Sequence, residues 1–356
     1  MSKNNLNYNR IICFCDKKIK KAFKCGWFQI IPVFEYIDKD VKTNHYPFIL
    51  EYNYNKNNIV QISHEDIVDG SSGYFSELNH EGNVQNYILR LLSVVTNHSF
   101  FTYDSTDQGW FINLNGEKSE DVKCQYGIKI YHDESFKGKM HIQKFSEIEF
   151  EQVDEIDHNR YYTHPDIDNQ LENELTIGEH TELFFNSLKN LDELRKQHFD
   201  SAVTLINNGM RIRNHMKSLA FLAFISSIET MSNLESKVNK EEIEFECNSC
   251  KKIKSSNYKC QKCDSPIWGI SQQIKIYLKK YLSQDEDLNK VINRLYGRRS
   301  KIAHAGSLLM GDIFFDWNNP EKREEHYMEL IAGMQYSKMS LVNYVLYQKS
   351  KTTANN

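Results

Sequence analysis

The sequence predicts an α+β protein of two domains: an N-terminal mixed α/β domain rich in strands over residues 1–150, and a C-terminal all-α helical bundle over 177–349. Three observations predict it. Short aromatic and β-branched runs recur from Ile11 to about His132, which is the pattern of strands. From Leu183 onward, apolar residues recur instead at three- and four-residue intervals, the period of a helix that buries one face. Between them, over 151–176, acidic residues recur and Pro165 sits among Tyr, Thr, His and Asp, as in a solvated linker. A chain of 356 residues is long enough to bury two cores.

Taking the elements in order, residues 1–10 are polar and asparagine-rich. They lack the apolar run and small-residue cleavage site of a secretory signal, so a cytoplasmic location is expected. Strands are expected over 28–36, 46–54 and 58–62. One helix interrupts them, because Val84, Ile88, Leu91 and Leu92 fall at helical spacing within 84–95; strand character returns over 99–103. In the bundle, Leu183, Phe184, Leu188, Leu191 and Leu194 mark one long amphipathic helix that ends or bends near Asn207, Asn208 and Gly209. Ile212, Met216, Leu219, Phe224, Ile228 and Met231 mark a second, and Ile270, Ile274, Tyr277 and Leu278 a third. A fourth opens at Ser283, where Ser-Gln-Asp-Glu forms a capping box with Glu286, and carries Leu288, Val291, Ile292 and Leu295. The last has Asn319 as cap and Pro320 in its first turn, and runs through Leu330, Ile331, Met334, Leu341 and Val345. Five helices with short links predict a bundle. The longest apolar stretch, 219–225, is far short of the roughly 20 residues that span a bilayer, so no membrane segment is expected.

Eight cysteines in a chain without an export signal point to a reducing compartment, where thiols bind metal more often than they form disulfides. Cys247-Asn-Ser-Cys250 and Cys260-Gln-Lys-Cys263 form two CxxC knuckles close together. Two intervening residues let both thiolates of a knuckle reach one tetrahedral ion at about 2.3 Å. The segment 245–266 has lysines and serines between the knuckles and no apolar core of its own, so its folding would depend on the metal. One structural Zn2+ per chain is therefore expected on Cys247, Cys250, Cys260 and Cys263, as a zinc ribbon inserted in the bundle. Four thiolates leave no open position for chemistry. Cys13, Cys15, Cys25 and Cys124 are scattered and read as ordinary buried thiols, with a second metal site on Cys13 and Cys15 as the alternative.

The net charge of -4 hides an asymmetry. Residues 247–301 carry 13 Lys or Arg against 4 Asp or Glu, a local excess of +9 that leaves -13 for the rest. A basic stretch inside an acidic protein suits an anion-binding face, nucleic acid being the commonest large anion; the alternative is a solvated lysine-rich loop. The candidate nucleic-acid contacts are Lys251, Lys252, Lys254, Lys259, Lys262 and Arg298.

Reaction chemistry is suggested by the segment from Arg294 to Gly306, which includes Arg299, Ser300 and His304. Arginine offers phosphate a planar, permanently charged fork, and histidine exchanges a proton near neutrality, a combination suited to phosphodiester cleavage. Gly306 fits a helix C-cap, which places His304 in the last turn. Five residues on a regular helix turn by about 140°, so Arg299 and His304 share a site only if the helix distorts or the arginine curls round.

The string Leu295-Tyr-Gly-Arg-Arg-Ser-Lys-Ile-Ala-His-Ala-Gly306 resembles the Apea-like branch of the HEPN family, whose members carry an L-Y-x-x-R-S-x-x-x-H-x-G signature. Leu295, Tyr296, Arg299, Ser300, His304 and Gly306 fit it, and the resemblance covers residues 177–349. It implies a helical domain that dimerises so that the Arg and His of both protomers line one cleft. It also implies a metal-independent endoribonuclease of bacterial anti-phage defence or of a toxin system, with an antitoxin or activator as a further partner. By this resemblance Arg299 would stabilise the charged phosphorane, His304 would move protons and Ser300 would orient the site, leaving a 2′,3′-cyclic phosphate and a 5′-hydroxyl. The alternative is a non-catalytic nucleic-acid-binding or protein-interaction module that works through the basic ribbon region, with Tyr296 packed in the core.

Overall fold

A computed structural model of the chain describes residues 6–32, 46–59, 72–96, 98–102, 122–125, 128–131, 141–149, 174–175, 177–238, 250, 270–282, 286–313 and 319–354. The α+β class holds: an antiparallel sheet occupies the N-terminal part, and the C-terminal half is mostly helical. The described residues divide into two compact units, the first reaching 149 and resuming over 174–182, the second starting at Leu183.

In the first unit the aromatic and β-branched runs become β1 (Leu6–Cys15), β2 (Lys18–Ile19), β3 (Phe23–Cys25), β4 (Phe28–Pro32) and β5 (Tyr46–Asn55). The helix α1 (Ser72–Thr96) follows, then β6 (Phe100–Phe101), β7 (Val122–Gln125), β8 (Ile128–Tyr131), β9 (His141–Ile142) and β10 (Glu174–Leu175). The main sheet has the order β3-β4-β5-β1-β6, with β9 also on β1. Strand β10 pairs in parallel with β2, so part of the stretch expected to be linker carries a strand.

β1 starts at Leu6, earlier than its apolar pattern suggests, and α1 starts well before Val84. Polar pairing explains both. Asn7 donates to the Tyr54 hydroxyl (3.0 Å) and to Glu77 of α1 (2.8 Å), and the Tyr54 hydroxyl reaches Glu81 one turn on at 2.8 Å. Apolar periodicity cannot report ends that are held by amide, phenol and carboxylate groups. Asn58 closes a short 3-10 turn instead of opening a strand, and 60–62 lie outside the described residues. Cys13, Cys15 and Cys25 are buried free thiols, and burial drives the Cys25 thiol up to about 12, with Glu182 adding to the effect.

The second unit contains the end of α2 (Glu179–Ser187), then α3 (Glu193–Ile212), α4 (Lys217–Val238), α5 (Ile270–Tyr281), α6 (Glu286–Ala305) and α7 (Pro320–Ala354). The single helix expected from Leu183 is two, separated by a 3-10 turn at Leu188–Asn190 and restarted by Asp192, whose carboxylate accepts from the Arg195 amide at 2.8 Å. The break turns the second piece relative to the first. Leu183 and Leu194, expected in the core, are exposed, whereas Phe184, Phe199, Val203 and Ile206 are buried. Met216, Leu219 and Ile270 are likewise exposed rather than buried. The Asn319 cap is as expected, its side chain accepting from the Lys322 amide at 3.1 Å. Ser283 lies outside the described residues, as do Cys247, Cys260, Cys263 and the ribbon lysines 251, 252, 254, 259 and 262.

Asn207, Asn208 and Gly209 do not stop α3, which runs through them to Ile212. Gly209 is there for packing: a Cβ on it would lie 2.7 Å from the Phe224 ring of α4. Phe224 is fully buried and has no room to retreat. Gly209→Ala should gain about 1 kcal/mol of helix propensity but lose about 1–3 kcal/mol to overpacking. The expected outcome is a lower melting temperature by calorimetry; an unchanged or higher one would mean that the crossing is looser than 2.7 Å implies.

Candidate active site

The fourth bundle helix expected from the sequence is α6. Leu288, Ile292, Leu295 and Ile302 are its buried residues, so the arginines between them emerge at its flanks. Consecutive positions on a helix diverge by about 100°. Arg298 and Arg299 accordingly go to different partners.

Arg298 turns to α7. Its Nε donates to Glu329 at 2.6 Å, Arg294 approaches the same carboxylate at 3.8 Å, and the Glu329 side chain is 1% exposed. Arg298, expected among the nucleic-acid contacts, pairs with a buried carboxylate, which satisfies a charge that would otherwise be costly in the interior.

Arg299 turns to α4. Its Nε lies 3.1 Å from Glu229 Oε1, an ion-pair contact misaligned for a hydrogen bond, and its Nη2 donates to Oε2 at 3.3 Å. The guanidinium carbon stands 5.9 Å from the centre of the Tyr296 ring, within reach of a cation–π contact. Tyr296 is half-buried, and its phenol is pushed up by burial and by Glu229, against the opposing pull of Arg299. Nη1 is the nitrogen turned towards His304, at 3.4 Å from Nε2. Arginine has no acceptor, so this contact is a hydrogen bond only in the His304 tautomer that carries its proton on Nδ1. The 140° offset is thus overcome by the reach of the arginine side chain. His304 and Ser300 are exposed, and among the described residues Ser300 bonds to neither.

The backbone at His304 is fixed from several sides. Gly306 has φ +62, the left-handed conformation of a helix cap, and the Ser307 amide returns to the Lys301 carbonyl at 3.1 Å. Beyond it the Leu309 amide donates to Ser218 Oγ (2.8 Å) and the Met310 amide to His326 Nδ1 (2.8 Å). Asp312 caps α4 by accepting from the amides of Lys217 (2.9 Å) and Ser218 (2.6 Å). Burial, then the Arg298 charge, push the His326 imidazole down, in keeping with its role as a neutral acceptor.

The sequence singled out Arg299, Ser300 and His304 but missed Glu229. Its signal was an isolated carboxylate in the otherwise apolar run of α4, a group that needs a cationic partner when partly buried. Of the expected zinc ligands only Cys250 is described, and it is half-buried. Among the described residues no group of three or more His, Cys, Asp or Glu side chains is placed to hold a metal, and no helix is long and apolar enough to cross a membrane. Comparison with protein-family models, with curated proteins and with solved structures finds no match.

Proposed function

We propose that the chain is a metal-independent endoribonuclease of the HEPN type, acting as a homodimer in bacterial anti-phage defence or a toxin system, with an antitoxin or activator as a regulatory partner. The observation that carries the reading is the approach of Arg299 to His304 at 3.4 Å on an exposed face, five residues apart in one helix. A permanent cation beside an imidazole supplies what phosphodiester transfer needs, a counter-charge for the phosphorane and a group that exchanges protons. In this reading the 2′-hydroxyl gives its proton to His304 Nε2, the 2′-oxygen bonds to the adjacent phosphorus, and the bond to the 5′-oxygen breaks. The leaving oxygen takes a proton from the imidazolium of the partner subunit. Arg299 holds the charge that builds on the phosphoryl oxygens.

The reading as a non-catalytic binding module relied on the basic stretch. Its Arg298 is paired with Glu329, and its five lysines lie outside the described residues. The test is an end-labelled single-stranded RNA incubated with the full chain and analysed for 2′,3′-cyclic phosphate and 5′-hydroxyl ends. Intact RNA under all conditions, including with cell extract added as a source of activator, would refute the assignment.

The four-thiolate zinc site belongs to the same proposal and rests on the donor set, two CxxC knuckles of soft ligands suited to a tetrahedral ion. Zinc would staple the segment between α4 and α5 and take no part in the reaction. Elemental analysis should give about one zinc per chain, and Cys247→Ser or Cys263→Ser should release it and lower the melting temperature, since binding and folding are coupled. Purified wild-type protein with no zinc, or with iron in its place, would overturn this.

A further inference from the structure

Glu229 stands out because it is neither a conventional core residue nor a free surface charge. It lies on α4, seventy positions before Arg299, with its side chain 14% exposed against 23% for the arginine. A guanidinium has five N–H groups in a rigid plane: one on Nε and two on each Nη. Glu229 faces the edge made by Nε and Nη2, at 3.1 and 3.3 Å. Nη1 is turned to His304 at 3.4 Å, and the Tyr296 ring lies against the guanidinium. The outer N–H groups of Nη1 and Nη2 form the end of the fork, which points away from the edge that Glu229 faces. Among the described residues no carboxylate faces that end, which offers two parallel donors to an anion next to His304.

We infer that Glu229 is the positioning residue of the site: it grips the side of the Arg299 guanidinium so that only the Nη1/Nη2 end is offered to a phosphate beside His304. The inference rests on the ribonuclease reading for its substrate, and on geometry alone for the grip. Without Glu229 the long arginine side chain would regain its rotamers and bind phosphate in many poses, few of them near the imidazole. Simple counter-charge makes the opposite forecast. A carboxylate beside an anion site repels the substrate, so its removal would tighten RNA binding and leave turnover equal or faster.

The experiment compares wild type, Glu229→Ala and Glu229→Gln in the full chain, with steady-state cleavage of a fluorescent single-stranded RNA and thermal melting as a folding control. Glu229→Ala should lower kcat about ten- to a hundredfold while KM stays the same or falls, the pattern of lost orientation rather than lost affinity. Glu229→Gln keeps an acceptor for Nη2 and should recover part of kcat. A kcat in Glu229→Ala equal to or above wild type would overturn the inference. So would a fall in kcat that merely tracks a loss of folded protein. A second measurement reads the grip without any reaction. In protein labelled with 15N-arginine the Arg299 side-chain N–H signals, Nη2–H above all, identified by their loss in Arg299→Lys, should move to the position of solvated arginine in Glu229→Ala. If wild type cuts no RNA, the ribonuclease reading fails and these signals alone decide: a shift upholds the grip, and unchanged signals refute it.

Discussion

Arg299→Ala and His304→Ala are each expected to lower RNA cleavage about a hundredfold or more, the usual size of a lost proton-transfer group or of lost charge stabilisation in a phosphoryl transition state. Folding should survive both. His304 is exposed and Arg299 stands at a partly exposed flank, so neither change opens a cavity in the core; Arg299→Ala also takes the cation from Glu229 and should lower the melting temperature more than His304→Ala does. Cleavage should persist in a chelator too mild to strip a four-thiolate zinc, and RNA with a deoxyribose at the scissile position should bind but resist cutting, because the nucleophile is absent. The site is expected to be shared between two protomers, which light scattering can establish. Mixing Arg299→Ala with His304→Ala should then change activity in a way a monomer could not. If His304→Ala cuts as well as wild type, the pair has no catalytic role.

Much of this site was legible in the sequence because its signals are local. The Gly306 cap and the Asn319 cap each lie within a few residues of what they act on, and both are where expected; the approach of Arg299 to His304, which an offset of about 140° had left open, comes from the reach of the arginine. Helix existence was legible too, since apolar residues recur at helical spacing, most strongly in α5 and α6. What failed was what depends on distant partners. Gly209 reads as a stop until Phe224 is seen against it, whereas the break at Leu188–Asn190, restarted by the local cap at Asp192, is hidden by apolar residues that continue the helical spacing. Glu229 and Glu329 acquire meaning only when α6 brings Arg299 and Arg298 to them. The same limit is sharper in the first unit. Its sheet reads as strands, but nothing local says that Asn7 or Arg10 belongs to one.

The largest stability effect is expected in that sheet, from Glu51→Ala. Register sets Gln29 of β4, Glu51 of β5 and Arg10 of β1 side by side in one row across three strands. Tyr52 and Tyr54, which bond to α1, point from β5 to the other face, so this row lies on the face opposite the helix. There the segment 141–149 covers it. Glu51 is fully buried, and its Oε1 accepts from Arg10 Nε (2.7 Å) and Ser146 Oγ (2.7 Å). Its Oε2 accepts from Gln29 Nε2 (2.7 Å) and the Ser146 amide (2.8 Å). Removing the carboxylate would take the counter-charge from an arginine side chain that is 15% exposed and one acceptor from a fully buried amide. Breaking such a buried pair from one side costs about 3–5 kcal/mol, a large part of the ~5–15 kcal/mol that holds a typical domain. Ser146→Ala removes only the hydroxyl contacts and should cost about 1 kcal/mol. Urea unfolding followed by tryptophan emission measures both. Trp27 sits in the turn between β3 and β4, edge-on to Phe28, and reports this unit. The row also ties 141–149 down, so in Glu51→Ala the Ser146 amide should exchange its hydrogen much faster than in wild type. A loss below about 1 kcal/mol, or unchanged exchange at Ser146, would show that the five donors around Glu51 are satisfied elsewhere once it is gone. Replacing both partners, Arg10→Met with Glu51→Leu, should recover much of the deficit, because the cost lies in a largely buried charge that has lost its counter-charge and not in the missing attraction.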